Sequence, residues 1–175
     1  MNIINQLYNI SQSRAYWLLY LVGAMFALAV ALYHQHGLDE LPCVLCIQVR
    51  LIMTLVVFIA IFGLLSMRRR PLNIAAHLMM IATAIGLAER SYQLLGTERG
   101  FLFGDCGFDP GLPAWFAVEE WLPWLYRVET SCGYTPEVAF GITMAEGLMA
   151  GSVIFILLSV SVFIASFLPP RFDIN

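Results

Sequence analysis

The sequence PCVLCIQVR at residues 42–50, followed by the uncharged apolar run of residues 51–67, decides the fold. It places two cysteines and an arginine at the mouth of a hydrophobic segment. Cys46 and Arg50 are four residues apart, so they share one face if the segment is helical. A guanidinium near a thiol favours the thiolate, which is the reactive form of cysteine. An arginine at membrane depth is costly and by default marks a functional site, although it can also be an interfacial anchor.

The composition is that of an integral membrane protein. Of the 175 residues, 60% are hydrophobic and 12% are charged, and the mean hydropathy is +0.78. Soluble domains usually carry about 25% charged residues. The chain has no lysine, and its nine basic residues are all arginine. The sequence has no basic patch of the kind that binds nucleic acid. Its hydrophobicity instead predicts that the protein lies in a lipid bilayer.

Four apolar segments predict one integral membrane domain over residues 1–175, folded as an all-α bundle of four transmembrane helices. The predicted spans are about 15–33, 46–67, 72–95 and 144–168, joined outside by loops at about 34–45 and 96–143. The first span, with 19 residues, would extend roughly 28 Å, enough for a bilayer core. A cleaved signal peptide is the alternative for this segment. Its length and its aromatic start at Tyr16 and Trp17 favour a retained helix.

The distribution of arginines predicts the orientation. Five lie at the N-terminus, in the turn between the second and third spans and in the C-terminal tail: Arg14, Arg68, Arg69, Arg70 and Arg171. The first loop has none, and the long loop has two arginines against seven acidic residues. The positive-inside rule therefore predicts that both termini are cytoplasmic and that both other loops are outside. All four cysteines, Cys43, Cys46, Cys106 and Cys132, would then face the oxidising side.

A metal site is one alternative for the cysteines, with His34 and His36 as possible further ligands. Cys106 and Cys132 are 26 residues apart, however, so the second close-spaced pair typical of four-thiolate zinc sites is missing. Thiols outside the cytosol more often form disulfides. We therefore predict no metal site and interpret both histidines as ordinary loop residues.

The long loop contains a concentrated aromatic segment at residues 115–126. Its three tryptophans, Trp115, Trp121 and Trp124, are interrupted by two glutamates and Pro123. This pattern predicts a short amphipathic helix in the membrane interface, where aromatic rings prefer to lie. The alternative is a folded cap with an aromatic core, but the loop is too short to bury three tryptophans alone.

The sequence resembles the bacterial disulfide bond formation protein B (DsbB) family over nearly its whole length. The resemblance rests on the PCVLCI motif, on Arg50 four residues past the second cysteine, on the WLP sequence at 121–123 before Cys132, and on the four spans. It implies a thiol–quinone oxidoreductase of the inner membrane. Such an enzyme reoxidises a periplasmic DsbA-like thiol oxidase and passes the electrons to a membrane quinone, ubiquinone or menaquinone, so both outside loops would be periplasmic.

The resemblance also implies residue roles. Cys43 and Cys46 would form the membrane-proximal redox disulfide, with Cys46 contacting the quinone and Arg50 helping to bind it. Cys106 and Cys132 would form the loop disulfide, with Cys106 making the mixed disulfide with the partner. In one departure, many members have a histidine soon after the arginine of the third span, whereas Ser91 follows Arg90 here. A quinone contact is therefore not carried over to that position.

Two other functions remain as alternatives. Enzymes resembling vitamin K epoxide reductase also bundle four helices around a Cys-x-x-Cys pair, but their active pair lies in a late span and follows the loop pair. The order is reversed here. A membrane scaffold stapled by two inert disulfides is the second alternative, and it does not explain an arginine at the position of Arg50.

Overall fold

A computed structural model describes residues 13–102, 107, 111–113, 115–133, 135–139 and 141–167. Within these residues the chain forms six helices and one short hairpin. The elements are α1 (Arg14–Gly37), α2 (Val44–Ser66), α3 (Arg70–Glu98), α4 (Val118–Trp121), α5 (Pro123–Tyr126), β1 (Glu137–Ala139), β2 (Ile142–Thr143) and α6 (Met144–Phe167).

The four long helices form the bundle. Helix α1 packs against α2, α2 against α3, and α3 against α6. The ring closes between α1 and α6, where the hydroxyls of Tyr20 and Ser159 are 3.0 Å apart and the Tyr20 ring lies 5.0 Å from that of Phe155. Each long helix is long and apolar enough to cross a membrane. The predicted all-α bundle of four membrane-spanning helices is therefore confirmed.

Apolar side chains cover the outside of the bundle as well as its inside. Leu19, Phe26 and Leu65 are 64%, 70% and 80% exposed, whereas Trp17 and Met80 are completely buried. Lipid tails are as apolar as these side chains, so a helix surface of this kind is stable in a bilayer. The bundle is consequently held by close packing and a few internal hydrogen bonds rather than by removing apolar surface from water.

Helix α1 extends beyond the predicted first span. The helix continues through His34, Gln35 and His36. It ends at Gly37, and glycine commonly terminates helices. His34 and Gln35 are buried, while His36 lies on the exposed side of the same turn. The interpretation of the two histidines as loop residues was therefore wrong, because no helix-breaking residue precedes Gly37.

The hairpin before α6 was not predicted. Its antiparallel strands pair Glu137 with Thr143, and Gly141 takes a φ of 76° in the connection, a conformation that favours glycine. Thr143 then begins α6 with reciprocal bonds, its backbone N–H donating to Glu146 at 3.2 Å and its Oγ1 accepting from the Glu146 N–H at 3.3 Å. This capping box fixes where the last membrane helix starts.

A Gly63→Ala substitution is expected to destabilise the bundle by about 1–3 kcal/mol, because overpacking a filled interface forces side chains from their places. A Cβ at Gly63 would lie 2.4 Å from the buried indole of Trp17, where α2 crosses α1. Gly23→Ala is the matched control, since a Cβ there meets nothing within 4 Å. The measurement is unfolding in mixed detergent micelles. Equal stabilities of the two variants would contradict this packing.

Candidate redox site

The first turn of α2 builds a dithiol. Cys43 is the N-cap residue, with φ −84° and ψ 171°, and its Sγ accepts a hydrogen bond from the backbone N–H of Cys46 at 3.4 Å. An N-cap side chain normally reaches the N2 or N3 amide, so two cysteines at this spacing are drawn together. Their sulfurs are 2.9 Å apart and both residues are free thiols.

The long loop returns to this helix start and brings a third cysteine with it. The backbone N–H groups of Glu129 and Thr130 donate to the Pro42 carbonyl at 3.0 and 3.3 Å, and Thr130 forms a parallel bridge with Cys43. Two residues further on, Cys132 packs against Cys43 and hydrogen-bonds it. Backbone pairing thus fixes a loop thiol beside the helix dithiol.

The two helix cysteines have different environments. The hydrogen bond with Cys132 lowers the pKa of Cys43, but the hydrogen bond with Cys46 and burial outweigh it and raise that pKa to about 12. Cys43 is 1% exposed. Because its pKa is raised, it stays protonated in the dithiol at neutral pH. Cys46 is only partly buried. It lies in the first turn of α2, where the helix dipole favours a negative charge.

Arg50 lies one turn further into α2 and is only 5% exposed. Its guanidinium donates to the Gln35 side-chain oxygen, to the Leu125 carbonyl at 3.0 Å and to the Ala31 carbonyl at 3.2 Å. Gln35 in turn donates to Glu129 at 3.3 Å. Arg50 therefore joins α1 to the loop. Its Nε has no hydrogen-bond partner in the described part of the chain.

A cavity of about 350 Å³ opens beside Cys46 and Arg50, between α1, α2 and the start of α6. Its volume is within the roughly 300–1,000 Å³ of small-molecule sites. The walls are mainly apolar and include Phe26, Ala31, Val49, Met53, Val138 and Leu148. A thiol, a guanidinium and an apolar chamber thus meet at one end of the bundle.

Comparison with known proteins identifies the family of this chain. The family model described as Disulfide bond formation protein DsbB matches residues 13–162. The chain belongs to the DsbB family. It is 32% identical to Disulfide bond formation protein B 2 of Pseudomonas aeruginosa over 135 residues, which cover 76% of this chain and 80% of that protein. It is 30% identical to Disulfide bond formation protein B of Psychromonas ingrahamii, over 85% of this chain and 81% of that one.

A more distant relative extends the match along the chain. Disulfide bond formation protein B of Shewanella loihica is 27% identical over 162 residues, which cover 92% of this chain and 95% of that protein. Membership in the DsbB family makes this chain a membrane disulfide bond formation protein, with a general role as a disulfide oxidoreductase.

The structure brings together most of the site residues predicted from the sequence. Cys46 and Arg50 lie on the first two turns of α2, Cys43 caps that helix, and Cys132 joins them from the loop. Cys106 lies outside the described residues. The disulfide pairings Cys43–Cys46 and Cys106–Cys132 therefore remain predictions. Ser91 is fully buried on α3, and it is not among the described residues that line the cavity.

Sequence reasoning missed the partners of Arg50. An arginine at membrane depth must find acceptors, so a polar residue near the same end of a neighbouring helix was the available signal. Gln35 fits that description, but it had been assigned to a loop. The Leu125 carbonyl has no sequence signal, because any residue carries one.

The reduced protein is expected to alkylate first at Cys46 and much more slowly at Cys43. The thiolate is the nucleophile, and the raised pKa of Cys43 leaves it protonated. Labelling of Cys43 should accelerate by about tenfold per pH unit between pH 7 and 10, since its thiolate fraction rises in that proportion below the pKa. Mass spectrometry after timed iodoacetamide pulses measures both rates. Equal labelling at pH 7 would contradict the assignment.

Proposed function

We propose that this DsbB family member is an inner-membrane protein-disulfide:quinone oxidoreductase that reoxidises a periplasmic DsbA-like thiol oxidase and reduces a membrane quinone. One observation carries the proposal. Cys132 contacts Cys43, while Cys46, whose sulfur is 2.9 Å from that of Cys43, opens onto the apolar cavity. The three thiols form a path from the loop to a chamber within the bundle.

The exchange steps follow from these contacts. The reduced partner attacks Cys106 of the loop disulfide, which releases Cys132 as a thiolate. Cys132 then attacks the Cys43 sulfur of the Cys43–Cys46 disulfide, so a Cys132–Cys43 bond forms and the electron pair leaves on Cys46. The second thiol of the partner displaces Cys106 and leaves the partner oxidised. Cys106 then displaces Cys43 from Cys132, which restores the loop disulfide and leaves the Cys43–Cys46 dithiol.

The direction of this attack has a physical reason. Exchange is faster when the departing sulfur is the better leaving group. The raised pKa of Cys43 makes its sulfur the poorer one, while the start of α2 stabilises a negative charge on Cys46. Attack at Cys43 with departure of Cys46 is therefore favoured, and the reducing electrons arrive at the cavity wall.

The cavity residues fit a quinone. The apolar walls suit a ring and an isoprenoid tail, and Arg50 has a buried Nε–H that finds no acceptor among the described residues. A guanidinium carries five N–H donors, of which three are used by Gln35, Leu125 and Ala31. Arg50 would hold a carbonyl oxygen, and Cys46 would face the ring. A bound quinone supplies a two-electron, two-proton acceptor.

The orientation in the membrane belongs to the same proposal. The arginine distribution supports cytoplasmic termini. Trp115, Trp121 and Trp124 are 78%, 61% and 54% exposed, which supports a position of the aromatic segment in the membrane interface rather than in a closed cap.

We expect reporter fusions after Arg70 to be active in the cytoplasm and fusions near Gly111 to be active in the periplasm. The opposite pattern would overturn the proposed compartment.

The test of function is stopped-flow oxidation of reduced periplasmic thioredoxin-like proteins by the purified chain, with ubiquinone-1 or a menaquinone analogue as acceptor. We expect one quinone to be consumed for each partner dithiol oxidised. The acceptor that supports the faster turnover identifies the quinone. Cysteines inert to both partner and quinone would indicate a stapled scaffold instead.

A further inference from the structure

His34 lies between two cavities at one end of the bundle. It lies in the last turn of α1 and is 8% exposed. Its side chain belongs to the wall of the apolar cavity beside Cys46, and also to the wall of a second cavity of about 500 Å³. Its Nδ1 is buried and has no hydrogen-bond partner among the described residues. A buried polar atom without a partner lowers stability, and a ligand that hydrogen-bonds Nδ1 at this position would remove that cost.

The second cavity has a different character, because carboxylates and hydroxyls form part of its wall. The residues that give it this character are Glu40, Glu98, Thr135, Glu137 and Thr143. Glu98 accepts hydrogen bonds from the hydroxyls of Thr135 at 2.5 Å and Thr143 at 3.2 Å, so this acidic chamber is an organised part of the fold. His34, Glu40 and Pro136 line both cavities and separate the acidic chamber from the apolar one.

We propose that His34 hydrogen-bonds a carbonyl oxygen of the bound quinone through Nδ1 and delivers a proton to it, and that the acidic chamber restores the proton. The proposal rests on the proposed function, because it assigns a residue to the quinone half of that reaction. Histidine suits this position because its two ring nitrogens allow it to receive a proton on one side and release it on the other.

The reaction balances as follows. The Cys43–Cys46 dithiol loses two electrons and two protons as its S–S bond forms. The quinone gains two electrons and two protons, and its two carbonyl groups become hydroxyls. His34 passes one proton to the oxygen that it faces and takes one back from the acidic chamber. The second quinone oxygen takes up one thiol proton, and the other thiol proton leaves on the loop side, near Cys132.

Other polar groups on the cavity wall are less suited to this role. Arg50 cannot be deprotonated in a protein, so it can bind an oxygen but cannot supply a proton. Cys46 is an electron donor in the same step. Glu40 is only partly buried and lies in the short connection between α1 and α2, where it can pass protons from the acidic chamber to His34.

The test uses two substitutions at this position and one matched control. His34→Phe keeps an aromatic ring but removes both nitrogens. His34→Asn keeps an amide near the position of Nδ1 but cannot relay a proton. The control is His36→Gln, because His36 is exposed on the same turn, donates from Nε2 to the Trp124 carbonyl at 3.0 Å and lines neither cavity.

Two measurements separate binding from proton transfer. The dissociation constant for ubiquinone-1 is measured on the oxidised protein, which has no electrons to donate, by quenching of tryptophan fluorescence. The rate of electron transfer is measured in a single turnover of the reduced protein. We expect His34→Phe to weaken binding by about 3- to 10-fold, as for a lost hydrogen bond, and to slow the single turnover by about 100-fold or more.

His34→Asn decides the proposal. We expect it to bind ubiquinone-1 within about twofold of the parent, because a donor remains, and to slow the single turnover as much as His34→Phe. A parental rate in His34→Asn would overturn the proposal, as would an equal slowing in His36→Gln. Loss of binding in His34→Asn would indicate a purely structural role and would also overturn it. If the parent itself fails to reduce ubiquinone-1 or a menaquinone analogue, the proposed function fails instead.

Discussion

A Cys132→Ser variant is expected to oxidise the reduced periplasmic partner at least about a thousandfold more slowly than the parent, since removing one of several catalytic residues that act as a unit abolishes most of the rate. Cys132 is the described loop thiol that contacts Cys43. Serine preserves its size but cannot exchange disulfides. Stopped-flow oxidation of the partner measures the loss.

The same variant should still react with quinone. After reduction with dithiothreitol, its Cys43–Cys46 dithiol should reduce ubiquinone-1 in a single turnover at a rate within about threefold of the parent, because one neighbouring hydrogen bond is lost. Ser131→Ala is the matched control, being exposed and adjacent. Retained oxidation of the partner by Cys132→Ser would remove the loop thiol from the electron path.

Cys106→Ser should give the same separation of the two half-reactions. It is expected to abolish oxidation of the partner and to leave the Cys43–Cys46 pair reactive with quinone. Full turnover of a protein partner by this variant would exclude Cys106 as the residue that forms the mixed disulfide.

The sequence was sufficient to predict the four-helix bundle and the position of the dithiol. Uninterrupted apolar runs determine where helices can cross a bilayer. The Cys-x-x-Cys pair directly before such a run places two thiols and Arg50 at the start of one helix. These features depend on residues close together in the chain, which is why a local pattern predicted them.

The remainder of the site depends on contacts between distant segments. The approach of Cys132 to Cys43 results from two amide hydrogen bonds to the Pro42 carbonyl. Backbone groups are identical at every position, so no residue type signals this pairing. His34 was misassigned for a related reason, because a polar residue at the end of an apolar span is compatible with both a loop and a buried helical turn.

Arg50 has two physical roles in the structure. Its bonds to Gln35, Ala31 and Leu125 hold the end of α1 and the aromatic loop against α2. Its remaining donors lie beside the cavity. These contacts give Arg50 a structural role, so a substitution must distinguish the loss of this scaffold from the loss of the proposed ligand contact.

Arg50→Met is expected to weaken binding of ubiquinone-1 by about 10- to 100-fold, because a charge-assisted hydrogen bond is worth roughly 1.5–3 kcal/mol. Arg50→Lys should recover only part of the affinity, since an ammonium lacks the planar fork of donors. Gln35→Met is the matched control. It removes one scaffold contact of Arg50 and leaves the guanidinium in place, so its dissociation constant should stay within about threefold of the parent.

The three dissociation constants distinguish the two roles. If Gln35→Met weakens binding as much as Arg50→Met, the guanidinium acts by holding α1 and the loop, and the quinone does not contact it. If Arg50→Met and Arg50→Lys both bind like the parent, Arg50 is only an anchor. In that case Cys46 would face the cavity without a donor from α2, and the quinone carbonyl would depend on His34 alone for its hydrogen bond.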